Sequence, residues 1–300
     1  MKKQKPGAGL PSPEKALSAE LKAMVDLVIS RYKMEKIVCF GSITNNIEHH
    51  SCFTEYTGSE GNPWPQNSYS LLLIPSAQEI MADIVIQMQA EESLKHIAQA
   101  TVLVHRMEEI NNALMNGSSF FTTIYKKGTL LYDQGKELFV APAAGEAVSK
   151  RILKRELFWQ QWYKLSDGFL KGAVFYKRGE LKNLSVYMLY QALLHCYSGM
   201  LRVLTGYRTN TNGLRRLMRL VDHILPESSF AGGLKTPEDG RLTALLLKGI
   251  GEARYDETFQ ISDYELSLII RRVEEILSKG NVACLQHIEE IKGGVRPYMS

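Results

Sequence analysis

The residues with the clearest chemical potential in the first half of the chain are a Gly-Ser pair and two nearby serines. Gly41 and Ser42 end a short apolar run. The backbone amides of a Gly-Ser turn can bind phosphate oxygens without a metal. The same glycine could simply permit a tight turn, and both interpretations stay open. Ser68 and Ser70 open a second apolar run, Leu71–Ile74, whose length and flanks predict a buried strand.

Arginines supply the main candidate binding groups of the second half. A guanidinium group presents paired N–H donors that match phosphate oxygens, so a groove lined by these side chains could bind a nucleotide or RNA. The alternative is a basic, solvent-exposed face that pairs with neighbouring carboxylates. The candidate residues are Arg202, Arg208, Arg215, Arg216 and Arg254, together with Tyr255 next to the last of them.

The seven histidines provide no convincing catalytic constellation. Arg219 and His223 are four residues apart and share one face of a predicted helix, where an imidazole could exchange protons near neutral pH. A solvated helix face is the commoner explanation of such a pair. His195 lies in an apolar helical pattern and is predicted to be a hydrogen-bonded core residue. His49 and His50 could bind a metal, but an isolated His-His pair rarely does.

Composition limits the class of protein. The chain has 300 residues, 45% hydrophobic and 23% charged, with a formal net charge of +4, so a general affinity for nucleic acids or membranes is not expected. The four cysteines are far apart and predict reduced thiols. No signal peptide and no apolar run of membrane-spanning length is recognisable. These features predict a cytoplasmic protein.

The pattern up to residue 138 alternates strands and helices, which predicts a mixed α/β domain over 13–138. Residues 1–12 are predicted to be a disordered tail, and Ser12 is the predicted N-cap of a helix from Pro13 to Lys33. Residues 43–67 are predicted to be a long loop, and loops of that length are usually functional or mobile. The predicted strands are 37–40, 71–74, 101–105 and 129–132, and the predicted helices are 78–92, 108–115 and one that ends near residue 128.

After a linker at 139–148, helical periodicity predicts an antiparallel helical bundle over 149–280, followed by a polar tail at 281–300 with a possible short helix. Gly206 is a predicted C′ residue, and Ser262 with Glu265 forms a predicted capping box. The predicted helices are 149–178, 181–205, 212–225, 239–254 and 262–278. The predicted fold class is therefore α+β.

Taken in order, several stretches resemble a minimal nucleotidyltransferase of the kanamycin-nucleotidyltransferase type fused to a HEPN domain. The stretches are Lys36–Ser42, Ser68–Ile74, Val102–Glu109, Phe120–Asp133, Phe169–Ala173, Tyr187–Leu204 and Ala253–Ile261. The transferase resemblance implies an Asp-x-Asp pair and a third carboxylate that hold divalent metals. Ser68 and Ser70 occupy the first two positions, and the third falls near Thr101, so a metal is not expected.

The HEPN resemblance implies an arginine followed, after four to six residues, by a histidine. Arg254 fits the arginine, but Phe259 stands where the histidine could be, and Asn212 replaces a histidine that often begins the third helix of such domains. Arg254 and Tyr255 also resemble a recurrent structural element of the family. The resemblance further implies a homodimer formed through the long helices.

These observations predict a non-catalytic protein that binds a nucleotide or RNA, or regulates a partner, with no cofactor. A nucleotide is possible as a ligand, and neither a membrane nor DNA is expected as a partner. The alternative is an enzyme of one of two kinds. The first is a HEPN-type ribonuclease that uses Arg219, His223 and Arg254. The second is a nucleotidyltransferase whose carboxylates have moved, for example to Glu48, Glu55 or Glu60.

Overall fold

The computed structural model describes residues 18–44, 49–53, 67–143, 147–209, 213–225 and 236–293. These residues form two compact units, one up to residue 143 and one from residue 147. The first unit contains a mixed sheet with helices and the second is helical, so the predicted α+β class is confirmed. Among the helices of the described ranges, none is both long enough and apolar enough to cross a membrane.

The first unit is built on a five-stranded sheet. Its strands are β1 (Met34–Ile43), β2 (His49–Ser51), β3 (Ser68–Pro75), β4 (Gln99–Val104) and β5 (Thr129–Asp133). β1 pairs antiparallel with β3 along one edge, and β2 and β5 share its other edge, while β3 and β4 are parallel. Part of the predicted 43–67 loop is therefore a strand, since β2 pairs with the end of β1.

Four helices accompany the sheet: α1 (Ala19–Arg31), α2 (Asp83–Leu94), α3 (Met107–Met115) and α4 (Ser119–Lys127). α1 begins after Ser18, whose side-chain oxygen accepts a hydrogen bond from the backbone of Leu21 at 3.2 Å. The predicted start at Pro13, with Ser12 as its cap, lies outside the described residues. α1 and α2 pack on the sheet face that carries Ile37, Leu71 and Val102.

α2 begins five residues later than predicted because Arg106 engages the segment before it. The guanidinium group donates hydrogen bonds to the backbone carbonyls of Glu79 at 2.9 Å and Met81 at 2.8 Å. Ile84 and Met88 share one face of α2 but are 59% and 64% exposed. The buried residues of α2 are Ile86, Ala90 and Leu94.

The second unit has a central helix surrounded by shorter and longer partners. Its elements are α5 (Val148–Arg178), α6 (Lys182–Thr205), α7 (Leu214–Asp222), α8 (Pro237–Leu247), a 3₁₀ turn (Lys248–Ile250), α9 (Glu252–Tyr255) and α10 (Asp263–Lys292). α6 has the most buried residues of these helices. Gly206 ends α6 in the left-handed region at φ 83°, and Ser262 and Glu265 form the capping box of α10, as predicted.

Two predicted helices have different bounds. The helix predicted over 239–254 is interrupted, because its 3₁₀ turn packs against α6 and Gly249 approaches Val186 and Tyr190. A Cβ atom at this glycine would lie 2.9 Å from Tyr190 Cβ and 3.0 Å from the Val186 carbonyl oxygen. The helix expected to end at residue 278 continues to Lys292, where a polar tail was predicted, and buries Cys284 and Ile288 against the bundle.

Candidate functional site

Gly41 and Ser42 lie inside β1 and do not form a turn. Gly41 stands opposite Ser51 of β2 and Ser70 of β3, and Ser42 is likewise paired on both sides. A backbone amide in a strand points toward one of its neighbours, so a phosphate could reach these amides only by displacing a paired strand. The predicted Gly-Ser turn is therefore wrong.

The three positions expected to carry carboxylates come together on the sheet. Ser70 of β3 is the register partner of Thr101 in β4, and Ser68 lies two residues earlier on the same face. All three side chains are 0% exposed. Within the described residues, the hydroxyl groups of Ser70 and Thr101 have no hydrogen-bond partner. The positions that the resemblance singles out therefore hold neutral and buried hydroxyls.

An aromatic cluster occupies the sheet face on which these hydroxyls lie. The ring of Phe120, in α4, stacks on Phe53 with centroids 5.1 Å apart and meets Phe40 of β1 edge-on at 6.0 Å. All three rings are buried. An apolar face with two neutral hydroxyls does not fit Mg²⁺, which prefers anionic oxygen ligands. Nowhere in the described ranges do three or more His, Cys, Asp or Glu side chains form a group suited to a metal ion.

In the helical unit, Arg254 is the predicted site residue with the most distinctive surroundings. Its guanidinium carbon lies 5.0 Å from the ring centroid of Tyr187 and 4.7 Å from that of Tyr255. These are cation–π distances. Tyr255 is 73% exposed. The guanidinium group donates no hydrogen bond and forms no ion pair with any residue in the part of the chain that the structure describes.

Arg254 lines a surface groove of 720 Å³ between the start of α6 and the segment that connects α9 to α10. The groove is lined by Glu180, Leu181, Lys182, Asn183, Leu184, Ala253, Arg254, Phe259, Gln260 and Ile261. Phe259, which stands in place of the expected histidine, is 8% exposed and contributes an apolar wall. The arrangement offers cationic and aromatic groups at the mouth of a partly apolar groove.

The other arginines do not form a single cluster. Arg202 packs over Phe158 of α5 at 4.9 Å, and burial, followed by the nearby charge of Arg208, lowers its pKa. The N–H of Leu214, at the start of α7, donates to the hydroxyl of Tyr190 at 3.2 Å. Tyr190 precedes Arg202 by about 18 Å along α6. The structure therefore brings Arg215 and Arg216 toward the first half of α6, away from Arg202 and Arg208.

The histidines of this unit have separate surroundings. His223 follows α7 and is 2% exposed beside Asp222, which is 0% exposed, so the pair with Arg219 is not a solvated face. His195 is a hydrogen-bonded side chain as predicted, since its Nδ1 donates to the Gln191 carbonyl at 2.8 Å. Its ring also lies between those of Trp162 and Phe169, at 5.2 and 5.1 Å.

A contact between Arg155 and His287 was not predicted, because residue 287 was expected to lie in a polar tail. Arg155 Nη1 donates to His287 Nε2 at 3.2 Å, which requires an imidazole that is unprotonated at that nitrogen. Burial and then the charge of Arg155 lower the pKa of His287 to about 4. Thiol chemistry has no support, since burial raises the pKa of Cys39 to about 11 and that of Cys196 to about 12.

Comparison with protein families supports the assignment of the helical unit. Residues 159–282 match the family model for the HEPN domain. The match runs from α5 into α10 and includes the groove beside Arg254. No curated protein matches the chain. The nucleotidyltransferase resemblance of the first unit stays a prediction.

Proposed function

We propose that the HEPN-like unit binds single-stranded RNA at the groove beside Arg254 and does not cleave it. The observation that carries this proposal is the exposed guanidinium group of Arg254, held between Tyr187 and Tyr255 with its N–H donors unused by the described residues. Single-stranded nucleic acids are bound by this combination, in which cations attract phosphates and exposed rings stack on bases.

The absence of cleavage follows from the placement of the acid–base groups. RNA hydrolysis by such a domain needs an imidazole within hydrogen-bonding reach of the reacting hydroxyl or leaving group. Phe259 stands in place of the expected histidine, and no histidine is among the described residues that line the groove beside Arg254. His223, the candidate of the alternative enzyme hypothesis, is 2% exposed and out of reach of a phosphodiester.

The first unit fits a nucleotidyltransferase-like domain that has lost its chemistry, and we assign it a structural or regulatory role. Two changes support this assignment: the buried hydroxyls of Ser70 and Thr101 in place of carboxylates, and a strand in place of an open phosphate-binding turn. The relocated carboxylates of the alternative hypothesis, Glu48, Glu55 and Glu60, lie outside the described residues.

Binding is tested by fluorescence anisotropy with a labelled 12-nucleotide single-stranded RNA. Arg254→Ala should weaken binding about 10- to 100-fold, because a charged hydrogen bond contributes roughly 1.5–3 kcal/mol. Tyr255→Ala should weaken it about 5-fold or more, because stacking on one base contributes roughly 1–3 kcal/mol. Arg271→Ala is the matched control, since Arg271 is an exposed arginine of α10 whose pairing with Glu275 is loose at 3.9 Å. Equal affinity of wild type and Arg254→Ala would overturn the proposed site.

Cleavage is tested by incubating the same RNA with the full chain and resolving the products by electrophoresis. We expect intact RNA. Product that disappears in His223→Ala and is absent from a mock-purified sample would establish the ribonuclease alternative instead. Labelled ATP with Mg²⁺ tests nucleotidyl transfer in the same way, with no transferred label expected.

The homodimer through the long helices is a further part of the proposal, and sedimentation of the full chain measures it directly.

A further inference from the structure

The groove beside Arg254 has the size of a site for one small ligand. Its volume of 720 Å³ lies within the roughly 300–1,000 Å³ typical of such sites. Ala253, Phe259 and Ile261 are each less than 9% exposed and supply an apolar surface against which a base can lie. A groove of these dimensions accommodates a single unstacked nucleotide, whereas a duplex keeps its bases paired and stacked.

Two side-chain amides line this groove from different walls. Asn183 belongs to the first turn of α6, and Gln260 lies in the segment between α9 and α10. Neither amide group makes a hydrogen bond within the part of the chain that is described. Each carries two donor hydrogens and a carbonyl acceptor, which is the donor–acceptor pair that a base edge also presents.

The groove lining contains two cationic side chains and one acidic side chain. Arg254 and Lys182 are its cations; Lys182 pairs with Asp263 at 3.1 Å, but Asp263 is 73% exposed, and such surface pairs contribute little. Glu180 is the acidic side chain of the lining. A phosphate is therefore expected at a cation and not at Glu180, and the neutral amides are the groups that suit a base edge.

We infer that the groove binds one nucleotide of single-stranded RNA, with its phosphate at Arg254 and Lys182, and that Asn183 and Gln260 read the base edge. This inference rests on the proposed function, since it specifies how the same site selects its RNA. The groups that supply affinity and the groups that supply base preference are then different side chains, and they can be altered separately.

The experiment compares the affinities of A12, C12, G12 and U12 RNA for the wild-type chain and for Asn183→Ala/Gln260→Ala. One good base contact discriminates by roughly 1–3 kcal/mol, so wild type should prefer its best homopolymer at least about 5-fold over its worst. The double variant should reduce that ratio to about 2 or less. Gln286→Ala, which removes an exposed amide of α10, is the control and should keep the wild-type ratio.

Lys182→Ala should instead lower the affinity for all four homopolymers and reduce the dependence of log Kd on log salt by about 0.7. Equal affinities of wild type for all four homopolymers, or a preference unchanged in the double variant, would overturn the base-reading inference while Arg254-dependent binding still stood. If the wild-type chain bound none of the four RNAs, the proposed function itself would be overturned. The two failures are therefore distinguishable.

Discussion

Replacing Thr101 by valine tests whether a buried hydroxyl without a hydrogen-bond partner destabilises the sheet. Thr101 is 0% exposed and its hydroxyl has no hydrogen-bond partner within the described residues, so folding removes it from water without compensation. An unsatisfied buried hydroxyl costs roughly 1–3 kcal/mol. Valine has the same shape without the hydroxyl, so Thr101→Val should stabilise the first unit by about 1–2 kcal/mol.

Hydrogen exchange at the amides of β3 and β4 is the appropriate assay, because it reports on the sheet separately from the helical unit. A gain of 1–2 kcal/mol should slow exchange about 5- to 30-fold. Thr205→Val is the matched control. Thr205 is 3% exposed, but its hydroxyl donates to the Leu201 carbonyl at 2.6 Å and accepts from the Tyr207 N–H at 3.0 Å. The same substitution there should destabilise the helical unit by about 1–2 kcal/mol.

Faster exchange in Thr101→Val would refute the reasoning, since it would mean that the hydroxyl is satisfied in solution. Ser70→Ala then identifies the partner. If the two register-paired hydroxyls bond to each other or share a water, each single substitution destabilises the sheet and the double variant loses less than the sum. If neither has a partner, the two gains add.

Three further predictions concern the helical unit. His287 has a pKa of about 4 in the folded chain, below its ordinary value near 6.5, so the unfolded chain takes up a proton first as pH falls. Stability to urea should therefore fall between pH 6.5 and pH 4, by at most about 3 kcal/mol, and His287→Gln should remove this slope. Glu180 has φ 61° at the end of α5, so Glu180→Gly should stabilise the unit by about 0.5–1 kcal/mol in urea unfolding. Gly249→Ala should destabilise it by about 1–3 kcal/mol in the same assay, because the new methyl group meets Tyr190 Cβ and backbone that cannot move aside.

Each of these predictions has a clear contrary result. A pH slope that persists in His287→Gln would place the titrating group elsewhere. Unchanged stability in Glu180→Gly would mean that the entropy glycine adds to the unfolded chain offsets the relief of the left-handed backbone. Unchanged stability in Gly249→Ala would show that the 3₁₀ turn can shift away from α6. Gly179→Ala is the control for the glycine-to-alanine change itself, because a Cβ atom there would meet no atom closer than 3.7 Å.

The fold class and most elements were predictable because they depend on local patterns. Apolar runs gave the strands, and capping residues such as Ser262 and Gly206 marked helix ends. The errors arose where a distant contact decides the local structure. α2 begins later than predicted because Arg106, at the start of α3, binds the backbone carbonyls of the segment before α2. The predicted 239–254 helix is interrupted where Gly249 packs against α6, although the local sequence favours a continuous helix.

The candidate sites show the same division between local and distant information. The resemblance drew attention to Ser68, Ser70 and Thr101, but their burial depends on a sheet face that no single stretch of sequence specifies. It identified Arg254, but not that Tyr187, 67 residues earlier, would pack against its guanidinium group. It missed Arg155 with His287 because the end of α10 has a polar composition and its buried residues are spaced along one face.

Two features of the first unit are physically independent, and each disfavours phosphate chemistry there. The neutral hydroxyls of Ser70 and Thr101 offer no anionic ligand to a divalent ion, whatever the backbone does. Extension of β1 through Gly41 and Ser42, with β2 paired on its outer edge, occupies the amides that could otherwise bind phosphate without a metal. Changing either feature alone would leave the other in place. The binding chemistry of this chain is therefore best sought in the helical unit, where Arg254 has N–H donors unused by the described residues and lies beside the half-buried Tyr187 and the exposed Tyr255.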